Sequence, residues 1–428
     1  MTGGTPVSTR MSSEGDAVLS RLVGREAGLI VAALHRRTGN FDIAEESVQE
    51  ALVAALQTWR RDGVPPNPAA WLTLTAQRRA IDLLRTLSRE RRVVGEAELE
   101  IDAADTMAST TPAAKVADER LPMLFGCCHP ALHVDVRIAL TMRAVMGMTT
   151  AQIAHAFLLP EPTMAQRLVR AKHKITTARI PFVVPEEDDL ASRLNDVLTV
   201  VYLCYNEGYL QPVQELPGLV DDAIWLAELV AGQLSREPEA WGLLALLTFL
   251  ASRAGARFDD NDALVLLADQ DRRRWDQVAI ARADGYLARA AAFHRPGTFQ
   301  LQAAIAACHA TAPSWVETDW LQIVTLYDLL LRLDGFPVVR LNRAIALGRL
   351  DGPAVALAEV DALGPKLDTY HLLHATRAHL LTKLGRPDEA AAANGRALEL
   401  AANPAERALL RGRLDGRDAE SALAQPEA

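Results

Sequence analysis

Apolar residues recur along this chain at helical spacing. Leu19, Leu22 and Val23 are followed by Leu29, Ile30, Ala33 and Leu34, the i, i+3, i+4 rhythm of helices that bury one face. Asp42 is placed to cap a further helix, whose start is made acidic by Glu45, Glu46 and Glu50. Gly63-Val-Pro-Pro-Asn-Pro68 breaks the rhythm, because consecutive prolines remove backbone donors and keep the preceding residues out of the helical region. Pro68 then suits the first turn of a helix through Trp71, Leu72, Ile81, Leu83 and Leu84. From Val94 to about Ala117 the pattern dissolves into small, acidic and hydroxyl residues, which reads as a linker. The rhythm returns over 118–180 and breaks again at Ile180-Pro-Phe-Val-Val-Pro-Glu-Glu-Asp-Asp189. Beyond Leu190 helix follows helix to about Leu414, with breaks at Gly208, Pro217, Pro238, Gly255, Pro296, Pro313, Gly335, Gly352 and Gly385.

The expected fold is therefore all-α. A disordered tail covers 1–15, a helical domain 16–93, a linker 94–117, a second helical domain 118–180, a helical extension 190–290, a helical array 291–415 and a tail 416–428. In the array Ala344, Leu350 and Ala356 recur 34 residues later as Ala378, Leu384 and Ala390. Small residues at helix crossings with that period suggest tetratricopeptide-like hairpins; a generic antiparallel helical array stays open beside them.

Composition agrees: half of the residues are apolar but only 5% aromatic, so the core must come from Ala and Leu, both strong helix formers. Four cysteines without a CxxC pair give neither a zinc ribbon nor a disulfide framework, and reduced thiols in the cytoplasm are the simplest expectation. The longest apolar run, about Trp241 to Ala251, falls far short of the ~20 residues a membrane span needs. The net charge of −9 hides an asymmetry: residues 1–180 carry +3 and the remainder −12. Basic charge gathers further at Arg78, Arg79, Arg85, Arg89, Arg91 and Arg92, and again at Arg167, Arg170, Lys172 and Lys174. Local charge of this kind, rather than the total, governs nucleic-acid binding.

The sharpest local signal runs from Met148 to Lys174. Thr149 or Thr150 caps a short helix with Ile153, Ala154 and Phe157 facing inward; Leu158-Leu159-Pro160 turns the chain, and a second helix starts between Glu161 and Thr163. That second helix would bury Met164, Leu168 and Ala171 and expose Gln166, Arg167, Arg170, Lys172, His173 and Lys174. A recognition helix needs such an apolar stripe to seat it and a polar, basic stripe to enter the major groove. Residues near its start reach base edges and later cations meet phosphates. Thr163, Gln166 and Arg167 are thus base-edge candidates, and Arg170, Lys172 and Lys174 phosphate candidates.

Phe41-Asp-Ile-Ala-Glu-Glu-Ser-Val-Gln-Glu-Ala51, Trp59, Pro68-Ala-Ala-Trp-Leu72 and Arg79-Ala-Ile-Asp-Leu-Leu-Arg85 closely resemble the polymerase-binding domain, region 2, of extracytoplasmic-function sigma factors of the sigma-70 family. Leu159-Pro-Glu-Pro-Thr-Met-Ala-Gln-Arg-Leu-Val-Arg170 resembles their −35-binding domain, region 4. Asp118-Glu-Arg-Leu, Phe125-Gly-Cys-Cys-His-Pro130, Tyr205-Asn-Glu-Gly-Tyr209 and Leu341-Asn-Arg-Ala344 resemble a subgroup with a fused helical, tetratricopeptide-like C-terminal domain. The resemblance implies an alternative sigma factor that binds core RNA polymerase and promoter DNA, has no membrane anti-sigma partner and is not an enzyme. It implies that Glu46, Gln49 and Glu50 dock on the polymerase clamp helices, with Glu46 standing where aspartate is usual. It implies that the loop from Arg60 and Arg61 to Asn67, with Arg78, Arg79, Arg85 and Arg89 on the following helix, captures the unpaired −10 strand. Trp59 and Trp71 are candidates for stacking on bases, or core. Pro162 departs from the small residue usual before Thr163.

Other constellations carry less. Cys127-Cys128-His129, with His133 near, lacks the further ligands of a tetrahedral site, so no metal is expected. Tyr205-Asn-Glu-Gly-Tyr209 is read either as lining a ligand or interdomain site or as a helix end with Gly208 just past it. Phosphate-binding glycine loops and nucleophile elbows are absent from the sequence, so neither a cofactor nor a catalytic residue is expected. Two other classes compete with a sigma factor: a helix-turn-helix regulator that does not replace sigma, and a helical-repeat scaffold with incidental basic helices. The acidic C-terminal half is a candidate for intramolecular contact with the basic sigma domains.

Overall fold

Helices make up almost all of the secondary structure in the computed structural model, which describes residues 27–94, 120–157, 159–209, 218–259 and 263–414. Among the described residues there is no strand, only one bridge between Phe258 and Leu264. The expected tails 1–15 and 416–428, and all of the expected linker 94–117 except Val94, lie outside the described residues. The chain divides into two units, at Glu207 and Gly208.

The first unit starts with α1 (27–38), α2 (Phe41–Asp62) and α3 (Pro68–Val94). Its cap differs from the expected one. Asn40, not Asp42, caps α2: its side-chain carbonyl accepts from the amides of Asp42 (3.0 Å) and Ile43 (3.2 Å), leaving Asp42 in the first turn. Gly63, at φ 85°, ends α2 in a conformation that L side chains resist. Pro68 opens α3 as expected.

Four further helices follow: α4 (Arg120–Cys127), α5 (Val134–Ala144), α6 (Thr150–Ala156) and α7 (Glu161–Thr177). Side chains of α5 and α7 reach α2, where Arg143 and Lys172 meet Glu45. A Cβ added at Gly28 would stand 2.3 Å from the carbonyl oxygen of Val145, so only glycine permits α1 to approach the end of α5 so closely. Phe182 lies against His35 (ring centroids 4.3 Å) and Phe41 (6.1 Å), and occupies the space that a side chain at Gly126 would need. Helix α8 (Glu187–Tyr209) belongs to this unit as far as Glu207. Arg193 donates to the carbonyl of Phe125 (2.7 Å), and Arg137 pairs with Asp196 (2.6 Å).

The second unit runs through α9 (Leu219–Gln233), α10 (Pro238–Ala251), α11 (Gln277–Ala291), α12 (Thr298–Thr311) and α13 (Trp320–Leu333). Helix α10 is apolar nearly all round and is buried nearly all round. Then come α14 (Pro337–Leu350), α15 (Pro353–Leu367), α16 (His371–Lys383), α17 (Pro387–Leu400) and α18 (Pro404–Leu414). The period found in the sequence reappears in space: α14 and α16 start 34 residues apart, as do α15 and α17. Ala344, Ala356, Ala378 and Ala390 all lie in one core cluster, where a larger side chain would hold the helices apart. Gly385 adopts positive φ just past α16, and Gly352 does so as the N-cap of α15.

Candidate nucleic-acid and polymerase interfaces

The helix-turn-helix forms as the sequence suggests, and the structure chooses between the two capping threonines. Thr149 caps α6 through a reciprocal box: its hydroxyl accepts from the Gln152 amide (3.2 Å), and the Gln152 side chain accepts from the Thr149 amide (2.9 Å). The turn closes where the Leu159 amide donates to the Ala154 carbonyl (2.9 Å). Pro160 stands before α7 in an extended conformation and Pro162 lies in its first turn, where a missing donor costs nothing. Met164, Leu168, Ala171 and Ile175 form the buried stripe that seats α7. Gln166 and Arg170 are exposed on the other side, while Thr163 and Arg167 are half-buried at its margin.

Two cations of the expected basic stripe are engaged within the protein. Lys174 reaches the carbonyl of Ala131. Lys172, expected on the exposed stripe, is instead half-buried, pairs with Glu45 and with Asp42 (3.3 Å), and stands 5.7 Å from the centre of the Phe41 ring. Arg143 binds the same Glu45 and also donates to the carbonyl of Met148 (2.9 Å). Glu45 is a buried carboxylate only 6% exposed. Burial alone would raise its pKa, but the two cations together outweigh burial and hold it below the ordinary carboxylate value. Sequence reasoning missed this cluster. Its only signal was an acid beside Ile43, Ala44, Ser47 and Val48, all of which are buried on α2.

One residue further along, Glu46, Gln49 and Glu50 share an exposed face of α2. Glu50 pairs with Arg79 of α3 at 3.4 Å, so a candidate polymerase contact touches a candidate DNA contact. Arg60 and Arg61 are exposed at the end of α2, and Arg61 makes a two-pronged bond to Asp62 (2.8 Å each). Asn67 acts locally, its side chain accepting from the Ala70 amide (3.1 Å) and so capping α3. Arg78 and Arg85 are exposed on α3. Arg89 lies on the same helix, with side-chain surroundings outside those described, as do Arg91 and Arg92. Of the two tryptophans weighed for base stacking, Trp59 is core, and the half-buried Trp71 meets it edge-on with ring centres 5.6 Å apart.

The remaining constellations resolve locally. Cys127 and Cys128 are buried, and burial pushes both thiols up, Cys128 to about 12, which disfavours the thiolate that metals and oxidants need. His133 caps α5 and His129 accepts from the Ala131 amide (3.2 Å), both as turn-makers. Helix α8 continues to Tyr209, so Gly208 is not past a helix end; Leu219 and Val220 pack where its side chain would be. Burial and then Asp135 raise Glu207 to about 7.

A short capped helix, a tight turn and a seated helix with a polar face define a helix-turn-helix DNA-binding module, here packed beside a helical domain with an exposed acidic face. Residues 22–90 match sigma-70 region 2, residues 123–175 match sigma-70 region 4, and residues 193–291 match a family of unknown function, DUF6596. An uncharacterized protein of Rhizobium meliloti (strain 1021) is 44% identical over 403 residues, covering 93% of this chain and 95% of that one. The chain belongs to the sigma-70 family, as a sigma factor similar to the extracytoplasmic-function type with a fused C-terminal domain. Its domains imply a role in transcription initiation, with core RNA polymerase and promoter DNA as partners. Among the described residues no helix is long and apolar enough to cross a membrane.

Proposed function

We propose that this chain is a cytoplasmic, non-enzymatic sigma factor that recruits core RNA polymerase to particular promoters and is regulated through its C-terminal helices. Residues 16–93 would contact polymerase and the −10 element, 118–180 the −35 element, and the extension 190–290 with the tetratricopeptide-like array 291–415 would carry the regulation. The observation that supports it best is the division of labour between two open faces. Glu46, Gln49 and Glu50 offer an acidic surface suited to a basic coiled coil, where electrostatics sets orientation and on-rate. Gln166 and Arg170 offer a polar surface beside Thr163 and Arg167 for the major groove. Arg60, Arg61, Arg78, Arg79, Arg85 and Arg89, with Asn67, would follow the −10 strand as a basic track. Lys172 reaches phosphate only by leaving the buried Glu45, whereas the exposed Lys174 keeps further N–H donors beside its bond to the Ala131 carbonyl. The −12 charge of residues 181–428 against +3 in residues 1–180 motivates an intramolecular contact as the regulatory device.

Transcription by purified sigma-free core polymerase tests this reading. The wild-type chain should initiate at a defined promoter. Glu46→Lys with Glu50→Lys should abolish initiation but keep salt-sensitive DNA binding, and Gln166→Ala with Arg167→Ala should lose promoter preference while polymerase binding persists. DNA binding without initiation by the wild type would instead support a regulator that does not replace sigma.

A further inference from the structure

In the second unit, polar and aromatic side chains form a seam across α12, α13, α14, α16 and α18. His309 at the end of α12 is 6% exposed, and its ring lies 5.9 Å from Trp315 and 5.4 Å from Trp320. The half-buried Arg349, in the last turn of α14, sets its guanidinium 4.8 Å from the Trp315 ring centre and 5.5 Å from that of Trp320. Gly348, its neighbour, approaches Leu380 of α16, and His379 beside Leu380 is 8% exposed. The positive charges of Arg413, Lys383 and Arg349 all act on His379, which burial first and these cations next push down to about 3, leaving it neutral. Helix α18 reaches α16 at its start, where His371 meets Glu406 at 3.1 Å, and Ala375 packs against the cluster that holds Leu410.

Two features mark this seam. Arg349 has no carboxylate within ion-pairing distance among the described residues, and burial alone lowers its pKa. Its Nε is a buried donor without an acceptor, and so is Nε1 of Trp315, against which it lies. Both atoms can only donate, so whatever satisfies them must bring acceptors. Helix C-termini offset part of the charge, since Arg349, Lys383 and Arg413 each sit in a last turn. Each C-terminus supplies roughly half a negative charge, less than the full positive charge of the Arg349 guanidinium beside it.

We propose that this seam is a binding site for the oxyanion group of a small molecule, a phosphate or a carboxylate. Arg349 and the Trp315 indole N–H donate to the oxyanion, Lys383 and Arg413 supply positive potential, and the faces of Trp315 and Trp320 hold the guanidinium in place by cation–π contact. The proposal does not rest on the promoter-reading role, because it is tested by binding alone.

The test uses the full chain with inorganic phosphate or acetate as probe, titrated by calorimetry and by tryptophan fluorescence at ionic strength matched with chloride. Saturable binding of at least one probe is expected, and which one binds tells a phosphate-bearing ligand from a carboxylate-bearing one. Arg349→Gln should weaken it at least tenfold and Lys383→Gln about threefold, whereas Arg340→Gln, on an exposed pair with Glu359, should leave it unchanged. Circular dichroism identifies an unfolded variant; if Arg349→Gln unfolds, the exposed Lys383 and the loss of fluorescence response in Trp315→Phe decide. Absence of saturable binding by the wild type to both probes, or unchanged affinity in folded Arg349→Gln or Lys383→Gln, overturns the proposal.

Discussion

A buried carboxylate in the first unit and a half-buried guanidinium in the second are handled in opposite ways. In the first, the Glu45 carboxylate meets two cations, Arg143 and Lys172, drawn from α5 and α7. In the second, the Arg349 guanidinium meets two indole rings and no carboxylate among the described residues. A buried ion with its counter-charges in place is a closed arrangement that locks helices together. A half-buried ion satisfied only by aromatic faces keeps hydrogen-bonding capacity in reserve. Stability and binding should separate the two.

The largest effect should come from Glu45→Ala, which strands two half-buried cations and should destabilise the first unit by about 3–5 kcal/mol in urea unfolding. The same group sets a pH dependence. Because its folded pKa lies below the unfolded one, its contribution is present above the unfolded value near 4.5 and is lost as pH falls through the folded value. Acid titration of the wild type should therefore lose stability in that range faster than Glu45→Gln does. If the two acid limbs coincide, Glu45 is not locked. Gly28→Ala comes next: it drives a methyl group into the Val145 carbonyl between α1 and the end of α5, and about 1–3 kcal/mol should be lost, read as a lowered Tm. The smallest effect should be that of Arg349→Met, because removing an ion without a carboxylate gives back its desolvation while forfeiting only cation–π contact. A change below about 1 kcal/mol is expected, of either sign. A loss as large as that of Glu45→Ala would erase the contrast.

What could be read from the sequence was whatever a periodic pattern or a local rule encodes. The all-α class, the α6–turn–α7 signature and the 34-residue recurrence each follow from spacing within one or two helices. For Lys172 the deciding partner is distant in sequence, whereas for Asp42 and Gly208 it lies nearby. Lys172 looked like another cation on a solvated stripe, and only the fold brings Glu45 to it. Asp42 looked like the cap because Asn40 precedes the apolar rhythm by one more step. Gly208, open between a helix end and part of a ligand or interdomain site, owes its smallness to Leu219. Arg349 gave no signal at all, since its surroundings come from a loop and helices tens of residues away.

The exposed pair between Glu50 and Arg79 joins two faces that were first read separately. A partner that draws Glu50 away releases the Arg79 guanidinium, and an anion that captures Arg79 releases Glu50. Linkage makes this exchange reciprocal: each ligand favours the other by the same factor. An exposed pair is worth at most about 1 kcal/mol, so the factor is about fivefold or less. On the roles proposed for Glu50 and Arg79, the pair would act as a weak relay between the two surfaces.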